Sequence, residues 1–571
     1  MTRFSSCAPR ASLCSLLLAA NAVAQSWLPT SPFPEWGATP PSSVASITYD
    51  PQIPAVANGA QLHAAILSLS AGEGLAVGPG TWVVPNRLDL NGTGTPQAPI
   101  WLYALDPQQK PVITRPNEQQ NVINIGSNAA ARYWVVRDLE LTGGSDLIRL
   151  YDCSNVWIDQ CYLHDGGGVG IAANSNDIDH VWITRCEIAR PGPGTTGEGM
   201  YIGANYGTRV ASWCVIAFNH VHDTRGAMPG QGDGIELKQG SHHNWIVGNH
   251  VHACQNPCII AYGTGGNGQN VIENNLCYDS SDVTLQVQGE AIVRNNVAIG
   301  GVYTFSSHDH QGQSADLQVV HNTFVNWGLA ARMSTWSDRP GMAFANNVVY
   351  STMGNSILFA SGSNGVQMAG NVVLGPVVGA TSGFVTGTGL GDFADVVLGP
   401  IHYDVRPAIG GAIDNRGSPE FAVAKDMHGT ARSLPVDPGA ATNALTLVSP
   451  RTTLPLQDGG IVPFQFEAPS LAGRTYLLLG TISGVLPGIQ IGAFTLPLTQ
   501  DGWLQVTLRS PNRGGLIDSW GQLGPGGNAS PALLVPPLPA GLTGLTADHV
   551  IVVLDHGTLV FVSNPVRVTM H

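Results

Sequence analysis

An asparagine that returns at near-regular intervals constrains this chain more than any other feature. It stands in a V/I-x-x-N-x-V/I setting at Asn219, Asn249, Asn275, Asn296, Asn322, Asn347 and Asn371. Upstream the same slot holds Leu139, Cys161 and Cys186. Steps run from 21 residues (275 to 296) to 33 (186 to 219), the period range of solenoid proteins. A unit that short cannot bury a core alone, so successive units must stack. Stacked asparagines can hydrogen-bond to one another and to the turn backbone.

The stretch Gly232 to Cys254 contains one whole unit. Ile235 and Leu237 alternate with Glu236 and Lys238, the pattern of a short strand with one face buried and one wet. After a turn, Trp245 to Val251 reads as a second strand, with Asn249 where a core residue is expected. A repeat of this kind resembles the right-handed parallel β-helix of the pectate-lyase-like superfamily. The expected fold is all-β, a right-handed parallel β-helix followed by a C-terminal β-sandwich module.

Domain limits follow from shifts in pattern. Residues 1–24 read as a secretory signal: Arg3 and Arg10 are the basic region, Ala11 to Ala20 the apolar core, and Ala22-Val23-Ala24 the cleavage site. That core is half the roughly 20 apolar residues a membrane span needs, and no later segment qualifies. Export, to the periplasm, the cell surface or the medium, is the expected location. Residues 25–44 are a Pro/Ser-rich leader expected to be loose. The β-helix should occupy residues 45–440, with coils from about Val83 to about Leu398. A capping helix is expected within Ala60 to Trp82, because an open first coil would expose core and strand edges. That stretch, and Asn91 to Ile113, resemble the entry into exported β-helix proteins. Asp426-x-x-Gly429-x-x-Arg432, followed by Val436-Asp437-Pro438-Gly439-Ala440, resembles the superfamily's closing segment. From Leu445 the asparagine repeat stops. Alternating strands with Gly/Pro turns (TYLLLGTISG, FTLPLTQDGWLQVTL, HVIVVLDHGTLVFVS) indicate the separate β-sandwich at 445–571. Surface attachment, contact with glycan or export sorting are equally open for it.

Composition excludes some partners. With 571 residues, 11% charged and a net charge of -14, the chain is unsuited to nucleic acid or an anionic membrane. Removing the signal leaves seven cysteines, an odd number that forces at least one free thiol. Cys254 and Cys258 flank a turn and could be bridged.

Candidate chemistry lies on one sheet. Its strands are expected at Ile123–Ile125, Ile148–Leu150, Met200–Ile202, Ile235–Leu237 and Val283–Leu285. Outward positions there are Asn124, Arg149, Tyr151, Tyr201, Glu236, Lys238, Tyr262, Thr284 and Gln286. Of these, Arg149, Tyr151, Tyr201 and Gln286 suit substrate binding, since aromatics stack on sugar rings and polar groups bond hydroxyls. The insertions Pro191 to Glu198 and Thr224 to Asp233 precede two groove strands, where function concentrates on a rigid scaffold.

Three chemical readings stay open. The Lys238 strand resembles the chondroitinase B and alginate lyase family, which implies Lys238 as the base of a β-elimination on a uronate glycan. His252 or Tyr262 would assist, although Cys258 to Gly263 carries no Arg where that family has one. Elimination needs a base and a cation close together, which Glu236 and Lys238 can supply. Glu198 and Asp233 precede groove strands at the same offset, and paired carboxylates serve glycoside hydrolysis. Gly-Asp-Gly-Ile-Glu-Leu-Lys-Gln-Gly also resembles the acidic strand of polygalacturonases, with Asp233 at the first Asp and Gly234 at the second. A non-catalytic carbohydrate-binding or surface protein is the third reading. The metal set is unknown. Calcium is implied by resemblance to β-helix lyases, and the column His164-Asp165, His222-Asp223, His252 and Tyr278-Asp279 offers it carboxylates. His308-Asp309-His310 is a second metal hint.

Overall fold

The computed structural model describes residues 27–571 apart from 193, 399–402, 409, 443–445, 469–470, 486–487, 492–493 and 556. The expected signal segment lies outside the described residues.

Three long sheets, all of parallel neighbours, wrap one shared core. The first runs along a 13-strand path from Ser43–Ile47 to Gln367–Ala369. The second has 13 strands from Thr81–Val83 to Phe384–Thr386, and the third has 12 from Leu88–Leu90 to Val377–Val378. Each coil adds one strand to each sheet, so the chain climbs in sequence order. Inward side chains are almost all apolar and buried, Ile148, Ile171, Met200, Ile235, Ile259 and Leu285 forming one column of the core. The helix Ala55–Leu67 closes the first coil by burying Leu62 and Ile66.

The asparagines sit at the corner between the first and second sheets. Asn249 donates to the Ile216 carbonyl (2.9 Å), and its Nδ2 and main-chain N–H both donate to Asn275 Oδ1 (3.0 and 2.9 Å). The same pattern repeats from Asn219 to Asn371, and Cys186 N–H begins it by donating to Asn219 Oδ1. Every such corner bends through a residue in the left-handed region just before the slot, among them Arg185, Phe218, Asn274, Asn295 and Asn346 (φ 54 to 58°). That conformation costs a non-glycine residue roughly 1–2 kcal/mol, and the ladder's buried hydrogen bonds offset it. Where the slot holds Cys161 or Cys186, the thiol donates to a main-chain carbonyl instead. A second amide ladder, Asn244 and Asn270, occupies the corner between the third and first sheets.

Four expectations are corrected. The leader is not loose: Phe33 meets Phe218 (ring centroids 5.9 Å) and Trp36 meets Trp182 and Tyr133 (6.0 and 5.4 Å) on the first sheet's outer face. Coils end at Phe384–Thr386, short of Leu398. The Asp426–Ala440 segment adds no coil to the β-helix, which was expected to extend to Ala440. It lies along the second sheet, where Ala440 joins Val325 and Val348, and Arg432 donates to Asn295 Oδ1 and the Asp437 and Gly439 carbonyls. Cys254 and Cys258 are not bridged; all seven cysteines of the described residues are free and buried.

In the C-terminal module a six-stranded sheet has both faces covered, Tyr476 and Leu478 packing on one side and Leu479 and Val550 on the other. Within the FTLPLTQDGWLQVTL stretch, Gly502–Arg509 is a helix rather than a strand, because the Asp501 carboxylate accepts from Leu504 N–H (2.8 Å) and caps it. No helix among the described residues is long and apolar enough to cross a membrane.

Cutting the ladder in its middle should be costly. Asn275→Ala strands the Asn249 N–H and the Ile246 carbonyl, each worth about 1–3 kcal/mol when buried unpaired. Urea denaturation should show a loss of about 3 kcal/mol, against about 1 kcal/mol for Cys161→Ala.

Candidate active site

Four ionisable side chains converge on the outer face of the third sheet. Glu236 and Lys238 project from Ile235–Leu237 and the residue after it. Glu198 and Asp233 come from the loops entering Met200–Ile202 and Ile235–Leu237, stacked because Gly199 N–H donates to the Asp233 carbonyl (2.9 Å). One oxygen from each of Glu198, Asp233 and Glu236 lies within 4.8 Å of the other two. Lys238 forms an ion pair with Glu236 Oε1. Its ammonium also sits over the Tyr201 and Tyr262 rings, 4.5 and 5.1 Å from their centroids, a cation–π clamp.

These groups are not solvated. Lys238 is 5% exposed, Glu198 2%, Asp233 3% and Glu236 3%. Burial therefore governs their protonation. It pushes Glu236 up, Lys238 pulls it back, and the group settles at about 7. Burial, then Glu236 and Glu198, hold Asp233 well above the carboxylate range, and burial raises Glu198 too. Burial alone would lower Lys238, but Glu236 and Tyr201 outweigh it and the ammonium is held above its usual value. Tyr262 is raised by burial and by Glu236, so it remains a phenol. The cluster thus combines a firm cation, two acids shifted upward from their ordinary range, and a carboxyl poised near neutrality. Glu198 Oε2 and Glu236 Oε2 are buried with no hydrogen-bond partner.

Asn256 donates to Asp233 Oδ1 (2.9 Å). A strap at residues 308–314 crosses the face. His310 meets the Tyr262 ring edge-on at 4.9 Å, and Gln311 bonds Tyr206 N–H (2.8 Å) and Asn205 (3.1 Å). Asp309 anchors it, accepting from Ser314 N–H, Thr335 and Arg339. It is therefore a loop anchor rather than part of a metal set. Asn256, His310 and Gln311 carry no periodic signal, since Asn256 lies in the short turn between His250–Cys254 and Ile259–Ala261 and the other two in the strap.

Other expected site residues fall elsewhere. Thr284 is buried at a corner, bonding the Gly300 carbonyl, because the strand is Leu285–Val287 rather than Val283–Leu285. Gln286 is on the outer face, paired with Ile260 and Ser306. Asn124 is buried against Asn121. Arg149 is held by Asp146, Asn174 and Ser175 and lies over Tyr151. His252 does not join Lys238: it stands on His250–Cys254 of the second sheet, its Nε2 2.9 Å from His220 Nε2. Burial and neighbouring rings lower His220 and His252 to about 4 and His250 to about 2, leaving neutral imidazoles. In the expected calcium column, Asp165 is paired with Arg190 (2.7 Å) and Asp223 with His222 (2.8 Å).

Residues 121–265 match the family model described as the right handed beta helix region. The chain folds as a right-handed parallel β-helix. No curated protein sequence matches it. Among solved structures, the β-helix is similar to pectate lyase Pel9A at 16% identity, covering 71% of this chain and 97% of that one, TM-score 0.42. It is similar to an alginate lyase from Paenibacillus sp. str. FPU-7 at 16% identity, covering 61% and 98%, TM-score 0.35. The A-module of Azotobacter vinelandii mannuronan C-5 epimerase AlgE6 aligns at 13% identity, covering 58% and 96%, TM-score 0.41. Likeness at that level assigns no activity to this β-helix.

Glu198 tests the site's electrostatics. Its carboxyl is raised above 4.5 in the folded state, so the stability it contributes is complete below that value and is lost as pH rises through the folded pKa. In chelator-treated protein, Glu198→Gln should melt a few degrees higher than wild type at pH 8. The gain should vanish near pH 4, where both side chains are neutral.

Proposed function

We propose that this protein is an exported enzyme that cleaves a uronate-containing polysaccharide by β-elimination at Glu198, Asp233, Glu236 and Lys238. The observation that carries the reading is a buried Lys238 ammonium paired with a Glu236 carboxyl poised at about 7, both facing outward beneath Tyr201 and Tyr262. Elimination requires the charge on the uronate carboxylate to be neutralised while its α-proton is removed. Lys238, ionised and aromatic-clamped, supplies the cation. Because it is held as an ammonium, the base falls to Glu236, whose free Oε2 and near-neutral pKa suit proton removal at physiological pH. In the step, Glu236 takes the α-proton, the carbon–carbon double bond forms, and the β carbon–oxygen bond breaks. Tyr262, held as a phenol 3.4 Å from Glu236 Oε1, gives its proton to the departing oxygen. The strap carrying His310 and Gln311 must shift to admit a chain, since the site lies beneath it.

A hard divalent cation such as calcium fits the carboxylate trio, because two buried acid oxygens lack partners and the donors are all oxygen. Glu198 and Asp233 would hold it beside Glu236, whose Oε2 is kept for the proton, and bound there it would stabilise developing negative charge.

A second reading is glycoside hydrolysis by Glu198 and Asp233. The favouring observation is that both carboxyls are raised and stacked, as an acid retaining its proton at neutral pH must be.

A panel of glycans incubated with the mature chain, with and without chelator, decides among these. Unsaturated uronate ends, seen as ultraviolet absorbance rising with reducing ends, are expected. Lys238→Met and Glu236→Gln should each lower turnover by at least about a hundredfold. Reducing ends without absorbance would replace elimination with hydrolysis. Binding without turnover on every glycan would overturn both.

A further inference from the structure

Two His-x-His pairs lie one coil apart, His220-x-His222 on the strand His220–Thr224 and His250-x-His252 on His250–Cys254. Strand alternation sends both members of each pair outward. The parallel register pairs His220 with His250 and His222 with His252. The result is a two-by-two grid of imidazoles on the outer face of the second sheet, away from the acidic cluster on the third.

We propose that His220, His250 and His252 form a binding site for a transition-metal ion of the zinc or copper class. One ring nitrogen from each lies within 4.8 Å of the other two. His220 Nε2 and His252 Nε2 face one another at 2.9 Å, while His220 and His250 stack at 4.8 Å with planes 9° apart. Tetrahedral zinc with bonds of about 2.0–2.1 Å sets neighbouring nitrogens about 3.3 Å apart. The Nε2 pair needs to open by only a few tenths of an ångström. His250 Nδ1 is buried with no hydrogen-bond partner, a nitrogen the protein itself leaves unsatisfied. Imidazole donors select zinc, copper or nickel over calcium and magnesium, which prefer oxygen.

The surroundings complete the assignment. His222 is engaged at both nitrogens, by Asp223 (2.8 Å) and Glu187 (3.4 Å), and so borders the set rather than joining it. Glu187 has an oxygen within 4.8 Å of nitrogens on His220 and His222, a carboxylate that borders the grid on the side of His220. Tyr278 stacks on His252 (4.9 Å, 4°) and its hydroxyl meets His250 Nε2 at 3.0 Å, which fixes ring orientation. A bound ion would tie two successive coils together.

The test is calorimetric titration of untagged, chelator-stripped full-length mature protein with zinc chloride, alongside thermal unfolding. One zinc per chain is expected at this grid, with a zinc-dependent rise in melting temperature. His220→Gln and His252→Gln should each weaken binding by about tenfold or more and remove the rise. His243→Gln, at the corner between the third and first sheets where the ring stacks on Trp213 (4.2 Å), should leave both unchanged. Cobalt(II) on the wild type should give the visible bands of a tetrahedral nitrogen site, a readout that needs no variant. No bound zinc, an octahedral cobalt spectrum, or full binding in the His220→Gln/His252→Gln double variant would overturn the proposal.

Discussion

The amide ladder at one corner is the interaction on which the rest of this structure depends. Each coil must turn sharply from the first sheet into the second, and it does so through a left-handed residue followed by a buried slot. A turn of that kind leaves main-chain N–H and carbonyl groups inside the protein with no strand to pair them. Asparagine resolves both at once, its oxygen accepting from the coil below and its nitrogen donating to a carbonyl and to the next amide. Because each side chain spans two coils, the ladder also fixes the register in which coils stack. Every outward column inherits that register, including the ones that carry ionisable groups.

On the third sheet this stacking concentrates acids that an isolated strand would keep apart. Glu198 and Asp233 are 35 positions apart in the chain yet adjoin because Gly199 and Gly234 occupy equivalent places in neighbouring coils, each facing the next coil's backbone within 2.5 Å of a Cβ. A side chain at either glycine would push the coils apart and the carboxylates with them. Burial under Tyr201, Tyr262 and the His310 strap then raises the acids and leaves Lys238 as their one close cation among the described residues. The second sheet shows the same stacking with a different result: imidazole rings over imidazole rings, with one buried nitrogen unmatched.

Much of the scaffold was legible in the residues. The asparagine spacing required a stacked solenoid, and the Ile235–Leu237 alternation showed Glu236 and Lys238 facing outward together. The equal offsets of Glu198 and Asp233 anticipated their vertical approach. Less was legible where short strands had to be positioned to the residue. Val283–Leu285 and Leu285–Val287 read alike as apolar alternation, and a slip of two residues moved Thr284 from the face into a corner. The helix at Gly502–Arg509 was hidden for a similar reason, since its alternating apolar residues outweighed the Asp501 cap in a one-dimensional reading.

What the sequence by itself determined was the periodicity, because hydrogen-bonding groups and apolar side chains recur at a spacing that only stacking coils can satisfy. It also determined which residues of a strand face out, since alternation is a local property of extended backbone. Tertiary structure alone decided which outward residues meet and in what state. Whether Lys238 is a solvated lysine or a buried ammonium depends on Tyr201 and Tyr262 one coil away on either side, and on a strap about 70 residues further along. His252 belongs with His220 rather than Lys238 because a corner separates the second sheet from the third. Protonation follows from desolvation and neighbouring charge, and both are properties of the packed volume rather than of the chain's order.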